Sequence, residues 1–175
     1  MDSACQINLN SRLTPEQRAK FQDTRTIRKV LGNAKTIAIY GMSTESTKAS
    51  NMVGSYLQDA GYRIVPINPR ADSILGEKSY PNLESVPFPI DVVDIFRPAT
   101  EIPGIVDEAL KVGIKTIWMQ LRLVDIPAAE KAAQAGALVV ADKCMKMEHG
   151  RFGGMLHWAG MNTEVITAKR RRMSA

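Results

Sequence analysis

The sequence predicts an α/β fold: a single Rossmann-like three-layer domain with a five-stranded, mostly parallel sheet and a leading N-terminal helix. Two observations predict it. Short runs rich in β-branched residues alternate with segments whose apolar residues recur at helical spacing. Most of the helical segments stop at a glycine, the residue that closes helices most easily. Such alternation fits parallel strands joined by right-handed crossovers, which place helices on both faces of the sheet.

The elements follow in order. Thr14-Pro15-Glu16-Gln17 offers an N-cap with proline at the first helical position, and Phe21, Ile27, Val30 and Leu31 carry one leading helix to Gly32. Thr36 to Tyr40 is the first strand, ending at Gly41, and Met52, Val53, Tyr56, Leu57 and Ala60 mark a helix before Gly61. Arg63 to Ile67 is the second strand, where Pro66 requires an edge position or a bulge. Residues 70 to 89, with Gly76, Pro81, Pro87 and Pro89, read as a long connection. Asp91 to Phe96 is the third strand, followed by a helix through Ile102, Ile105, Val106, Ala109 and Leu110 that stops at Gly113. Lys115 to Gln120 is the fourth strand, Pro127 to Ala135 a short alanine-rich helix, and Ala137 to Ala141 the fifth strand. The expected organisation is residues 1–24 as an N-terminal extension and leading helix, 25–152 as the domain proper, and 153–175 as a C-terminal segment with a basic tail. Met155, Leu156, Trp158 and Met161 in that segment suit packing on the domain, on a second subunit or on an unidentified protein partner.

Composition narrows the function classes. No apolar run approaches the roughly 20 residues of a membrane helix, and the N-terminus lacks a basic start followed by an apolar stretch, so a cytoplasmic protein without membrane attachment is expected. Cys5 and Cys144 lie far apart without metal-ligand spacing, which excludes a disulfide framework and a zinc site as the organising principle. The net charge of +5 is concentrated in Lys169, Arg170, Arg171 and Arg172, and a solvated tail of this kind carries no nucleic-acid reading.

Chemistry enters at the loop after the first strand. Gly41-Met42-Ser43-Thr44-Glu45-Ser46-Thr47-Lys48-Ala49-Ser50 runs straight into a helix. Glycine lets the backbone approach a pyrophosphate, hydroxyls and amides donate to its oxygens, and a helix N-terminus favours negative charge. The loop is neither a dinucleotide Gly-x-Gly-x-x-Gly nor a Walker loop. An NAD site would place a carboxylate at the end of the second strand; Asn68-Pro69-Arg70 stands there instead and suits a ligand with a phosphate on its ribose, which leaves NADP or coenzyme A.

Other residues invite chemistry less strongly. Glu148-His149 has no legible third partner for a triad, and a structural role is expected. Asp91 and Asp94, three apart in a strand, face opposite sides, and solvation at the strand ends is expected for both. Trp118 reads as core or as a wall at the strand end. Cys144 reads as a small apolar side chain, with a mixed disulfide to a CoA thiol as the alternative.

The ordered series Gly41-x-Ser43, Lys48-x-Ser50, Gly61-Tyr62-x-Ile64-x-Pro66-x-Asn68-Pro69, Asp91-Val92-Val93-Asp94-x-Phe96-Arg97, Trp118-Met119-Gln120, Ala135-Gly136 and Asp142-x-Cys144-Met145-Lys146-x-Glu148-His149 resembles the small bacterial CoA-binding proteins. Their fold is similar to the N-terminal domain of the succinyl-CoA synthetase α subunit. The resemblance spans roughly residues 25 to 152. It implies that Gly41, Met42, Ser43, Lys48 and Ser50 form the phosphate loop of a coenzyme A or acyl-CoA site. Asn68, Pro69 and Arg70 would border the nucleotide, Phe96 and Arg97 would flank the cofactor, and Gln120, Leu121 and Arg122 would lie at the end of the fourth strand. One departure stands out: the family has glycine where this chain has Arg122. The function so implied is non-catalytic CoA binding, with an NADP-linked nucleotide sensor or oxidoreductase and a subunit of a larger acyl-CoA synthetase as alternatives.

Overall fold

The computed structural model describes residues 13–152. In chain order the elements are α1 (Pro15–Phe21), α2 (Thr24–Asn33), β1 (Thr36–Tyr40), α3 (Ala49–Asp59), β2 (Arg63–Ile67), β3 (Ser73–Ile74), β4 (Glu77–Lys78) and β5 (Val92–Ile95). They continue with α4 (Ile102–Lys111), β6 (Thr116–Met119), α5 (Ile126–Gln134), β7 (Leu138–Val140) and α6 (Met145–Phe152). The main sheet has the order β2-β1-β5-β6-β7, and every pair in it is parallel. The chain moves from β1 to β2 on one side and then crosses back to β5 on the other. The loops after β1 and β5 therefore leave in opposite directions and open a crevice at the strands' C-terminal ends.

Side-chain alternation along the strands makes the three layers. Ile37, Ile39, Val92, Trp118 and Val140 point to one face, where they meet Ile27, Val30 and Leu31 of α2, Val53 and Leu57 of α3 and Met145 of α6. Ala38, Val93, Ile95, Ile117, Met119 and Val139 point to the other, under α4 and α5 and beside Phe21 of α1. Each large aliphatic side chain so buried contributes about 1.5–3 kcal/mol. Trp118 is fully buried and donates Nε1–H to Lys143 O at 2.7 Å, which satisfies its one polar atom. Pro66 lies on the edge strand as expected. Its carbonyl accepts from Tyr80 N at 2.9 Å, so its backbone faces away from β1 and its missing N–H breaks no ladder bond.

Four expectations are corrected. The leading helix is two helices, because the chain turns at Gln22 and Asp23: Asp23 caps α2 by accepting from Thr26 N at 2.8 Å, and Gln22 Nε2 reaches across to Ala141 O at 3.0 Å. Gly32 consequently lies inside α2 and closes nothing. The connection of residues 70–89 contains the β3–β4 hairpin, whose two turn residues, Leu75 and Gly76, have φ of 54° and 78°. Residues 145–152, for which the pattern set no expectation, form a helix with a short apolar face. Asp94 is not solvated at a strand end; it is fully buried at 0% exposure, while Asp91 remains exposed and its carboxylate accepts from Lys35 N and Thr36 N. The segment 153–175, with its basic run and Trp158, lies outside the described residues, as do residues 1–12.

Candidate functional site

The crevice begins at Gly41. Its φ is +84°, and a Cβ there would come within 2.5 Å of Arg97 Cδ and 3.0 Å of Phe96 O, so both the turn and the close approach of β5's following loop exclude a side chain. Met42 turns inward and is fully buried, with its thioether against the helical Gly54; only its backbone is left for a ligand.

Ser43 organises the loop that follows. Its N–H donates to Ser50 Oγ at 3.0 Å, its carbonyl accepts from Asn51 Nδ2 at 2.9 Å, and its own hydroxyl accepts from Glu45 N at 3.1 Å. Asn68 ties the end of β2 to the same loop, donating from Nδ2 to Met42 O at 2.7 Å while its Oδ1 accepts from Arg70 N at 2.8 Å. Ser50 and Asn68 thus hold the loop in shape, and neither hydroxyl nor amide is simply waiting for a ligand.

Lysine at the N-cap decides what α3 offers. Lys48 has no side-chain acceptor and makes no cap bond. The N–H groups of Ala49 and Ser50 accordingly have no acceptor among the described residues, and they sit at the positive end of the helix. Lys48 itself is exposed and only 3.9 Å from Glu45, an exposed pair weak enough for the ammonium to turn toward an anion. Pro69 and Arg70 are exposed at the end of β2. Arg97 lies across Gly41 and forms two bonds to Glu101, at 2.8 and 2.9 Å, which hold its guanidinium charged and its stem over the turn. Phe96 is partly buried beside it.

The far side of the crevice is built on β6 and β7. Gln120, 3% exposed, donates Nε2–H to both carboxyl oxygens of Asp94 at 2.9 Å. Burial pushes the Asp94 acid up to about 8, against the opposing effect of the Gln120 bond. Arg122 has φ of 65°, the conformation glycine adopts at least cost, and its N–H donates to Asp142 Oδ1 at 2.7 Å. This explains why glycine suits the position. Leu121, in the turn after β6, is exposed here, as are Met52 in the first turn of α3 and Met147 in the first turn of α6, two helices that start at this end of the sheet.

Glu148 and His149 are occupied in holding α6. His149 Nδ1 lies 3.0 Å from the Tyr56 hydroxyl, its ring meets Tyr56 and Tyr62 edge-on, and burial pushes its titration below the usual histidine range. Glu148, 2% exposed, sits 3.7 Å from Lys143 Nζ and 3.4 Å from Arg151, and its Oε2 accepts no hydrogen bond. The Cys144 thiol is pushed up by burial, with Asp94 adding to the effect. Sequence reasoning passed over Asp94 as a strand-end residue; the signal that was present is an acid inside an otherwise apolar parallel strand, where charge is costly.

Among the described residues no helix is long and apolar enough to cross a membrane, and no group of acids, histidines and cysteines is arranged to hold a metal. A cavity of about 290 Å³ lies at the opposite end of the sheet, lined in part by Lys29, Asn33, Asp91 and Lys115.

Several known proteins are similar to this chain. YneT of Bacillus subtilis is 37% identical over 123 residues, covering 70% of this chain and 91% of YneT. The ADP-forming acetate–CoA ligase II of Archaeoglobus fulgidus is 31% identical over 108 residues, which are 61% of this chain and 16% of the ligase. A solved structure from Pyrococcus horikoshii has a TM-score of 0.72 at 36% identity, covering 74% of this chain and 92% of that one. Acetyl-coenzyme A synthetase 1 of Candidatus Korarchaeum cryptofilum has a TM-score of 0.58 at 26% identity, over 66% of this chain and 28% of that one. The CoA binding domain matches residues 35–150, from the start of β1 into α6, and the chain belongs to that family.

Proposed function

We propose that the chain binds coenzyme A, free or acylated, and does so without transforming it. The pyrophosphate lies at the loop after β1, where the N–H groups of Ala49 and Ser50 donate to it and Lys48 supplies charge. Arg70 meets the phosphate on the ribose, and the arm of the cofactor runs along the ends of β5 and β6 past Phe96 toward Gln120, Leu121 and Arg122. The observation that carries this reading is the pairing of Gly41's side-chain-free turn with an α3 terminus that no side chain caps. A non-catalytic role is supported by the commitments of the reactive groups: His149 is packed between two tyrosines, Glu148 faces Lys143 and Arg151, and Cys144 is held as a thiol.

Calorimetric titration with CoA, dephospho-CoA, NADP and NAD at one low salt concentration tests the reading. Binding of CoA that weakens on loss of the 3′-phosphate supports it; binding of NADP alone replaces it with the nucleotide-sensor reading. The similarity to segments of acetate–CoA ligases favours a second reading, a CoA-holding part of a larger acyl-CoA synthetase. That reading predicts nucleotide-dependent acyl-CoA formation when a purified ATP-binding partner is added, and none from the chain alone.

A further inference from the structure

Asp94 is a fully buried acid that the binding scheme above does not use. It sits on β5 between Ile39 of β1 and Trp118 of β6, one residue short of the end of its strand. The side chain that bonds it, among the described residues, is Gln120, at the end of β6. Gln120 Nε2 is equidistant from the two carboxyl oxygens, an arrangement suited to the ionised acid. Gln120 Oε1 accepts no hydrogen bond from any described residue, yet it is not sealed away as Glu148 Oε2 is. This open acceptor belongs to a side chain only 3% exposed that follows directly on β6, at the end of the sheet where the crevice lies.

A neutral Asp94 requires the opposite arrangement. Its carboxyl O–H must be donated, and Gln120 is the acceptor in reach. A half turn of the amide about its last torsion brings Oε1 to the O–H and turns Nε2 outward. The two protonation states therefore present different faces of one amide to the crevice, an acceptor when Asp94 is charged and a donor when it is neutral.

We propose that Asp94 is a positioning residue for the ligand: by holding or releasing a proton it decides whether Gln120 shows its N–H or its carbonyl to the arm of the bound cofactor. This rests on the CoA reading above. A polyanionic ligand favours the neutral acid beneath it, so binding draws a proton onto Asp94 and turns the Gln120 donor toward the arm, whose amide carbonyls accept. The titratable group beside Asp94 is Cys144, just before α6, on which Lys146 of that helix acts with the opposite sign; among the described residues no other charged side chain acts on Asp94. Burial places the titration of Asp94 at about 8, within reach of ordinary buffers.

The test follows the Gln120 side-chain amide by proton–nitrogen NMR between about pH 6.5 and about pH 9, its signal identified by its loss in Gln120→Leu. The expected result is a shift of that signal with an inflection near pH 8 in the free protein, absent in Asp94→Asn, and displaced upward by about 0.7 pH unit or more with CoA bound. Such a displacement corresponds to an affinity lower by about fivefold on the alkaline side. A signal that stays flat across the range overturns the proposal, and the wild-type protein alone decides this should Asp94→Asn fail to fold. An inflection that CoA leaves in place while the backbone amides of residues 41–51 shift also overturns the proposal, whereas millimolar CoA that moves neither the inflection nor those backbone amides overturns instead the CoA reading on which the proposal rests.

Discussion

Gly41→Ala is the perturbation whose consequence the structure defines most closely. A Cβ at residue 41 must adopt φ of +84° and approach Arg97 Cδ to 2.5 Å and Phe96 O to 3.0 Å. The backbone conformation costs a non-glycine residue about 1–2 kcal/mol. The overlap with Arg97 adds about 1–2 kcal/mol, at the lower end of overpacking, since a side chain can yield where the Phe96 carbonyl cannot. Releasing Arg97 from its exposed pair with Glu101 adds less than about 1 kcal/mol. The variant should therefore lose about 2–5 kcal/mol in urea denaturation. Its CoA affinity should fall as well, because the turn that brings the Ser43 loop to the crevice is displaced. Gly41→Ala combined with Arg97→Ala removes the side-chain overlap and should recover about 1–2 kcal/mol relative to an additive loss, leaving the backbone cost. A single variant within about 0.5 kcal/mol of wild type, or strictly additive losses in the double variant, refutes the reasoning.

Three further outcomes follow from the same geometry. Lys48→Ala and Arg70→Ala should each weaken CoA binding by about 1–3 kcal/mol in calorimetry with little change in stability, and unaltered affinity in both removes the phosphate assignment. Arg122→Gly relieves φ of 65° while keeping the N–H bond to Asp142, and should raise stability by up to about 1 kcal/mol in urea denaturation; a loss there would mean the Arg122 side chain is a net stabiliser. Asp94 is held protonated in the fold at pH values where the unfolded chain ionises it. Its contribution is fully present below about pH 4 and is lost as pH rises toward 8, so Asp94→Asn should gain stability on wild type across that interval, by about 2 kcal/mol or more at its upper end. Urea denaturation at stepped pH checks this, and parallel curves for the two proteins would contradict it.

The alternation of strands and helices was legible because parallel strands buried on both faces read as unbroken apolar runs, and because Gly61, Gly113 and Gly136 stand just past α3, α4 and α5. The break at Gln22 and Asp23 was not read from the sequence, since α1 buries only Phe21 and so shows no period of its own, and the turn depends on a contact with Ala141, far along the chain. The β3–β4 hairpin has two residues per strand, too few for alternation to show. At the site, Gly41 and Lys48 were readable from their place between a strand and a helix. Met42 and Ser50 were included with them by position, and the fold gives their side chains to the core and to the Ser43 N–H. Asp94 was misjudged because spacing along a strand tells which face a residue takes and nothing of how deeply that face is covered.

The measurement that tests the account most directly is backbone amide chemical-shift mapping of the chain titrated with CoA. Shifts concentrated on residues 41–51, 68–70, 96–97 and 120–122 are predicted, since these segments meet at the C-terminal ends of the strands. Shifts concentrated instead around Lys29, Asp91 and Lys115, in the cavity at the opposite end of the sheet, would contradict it.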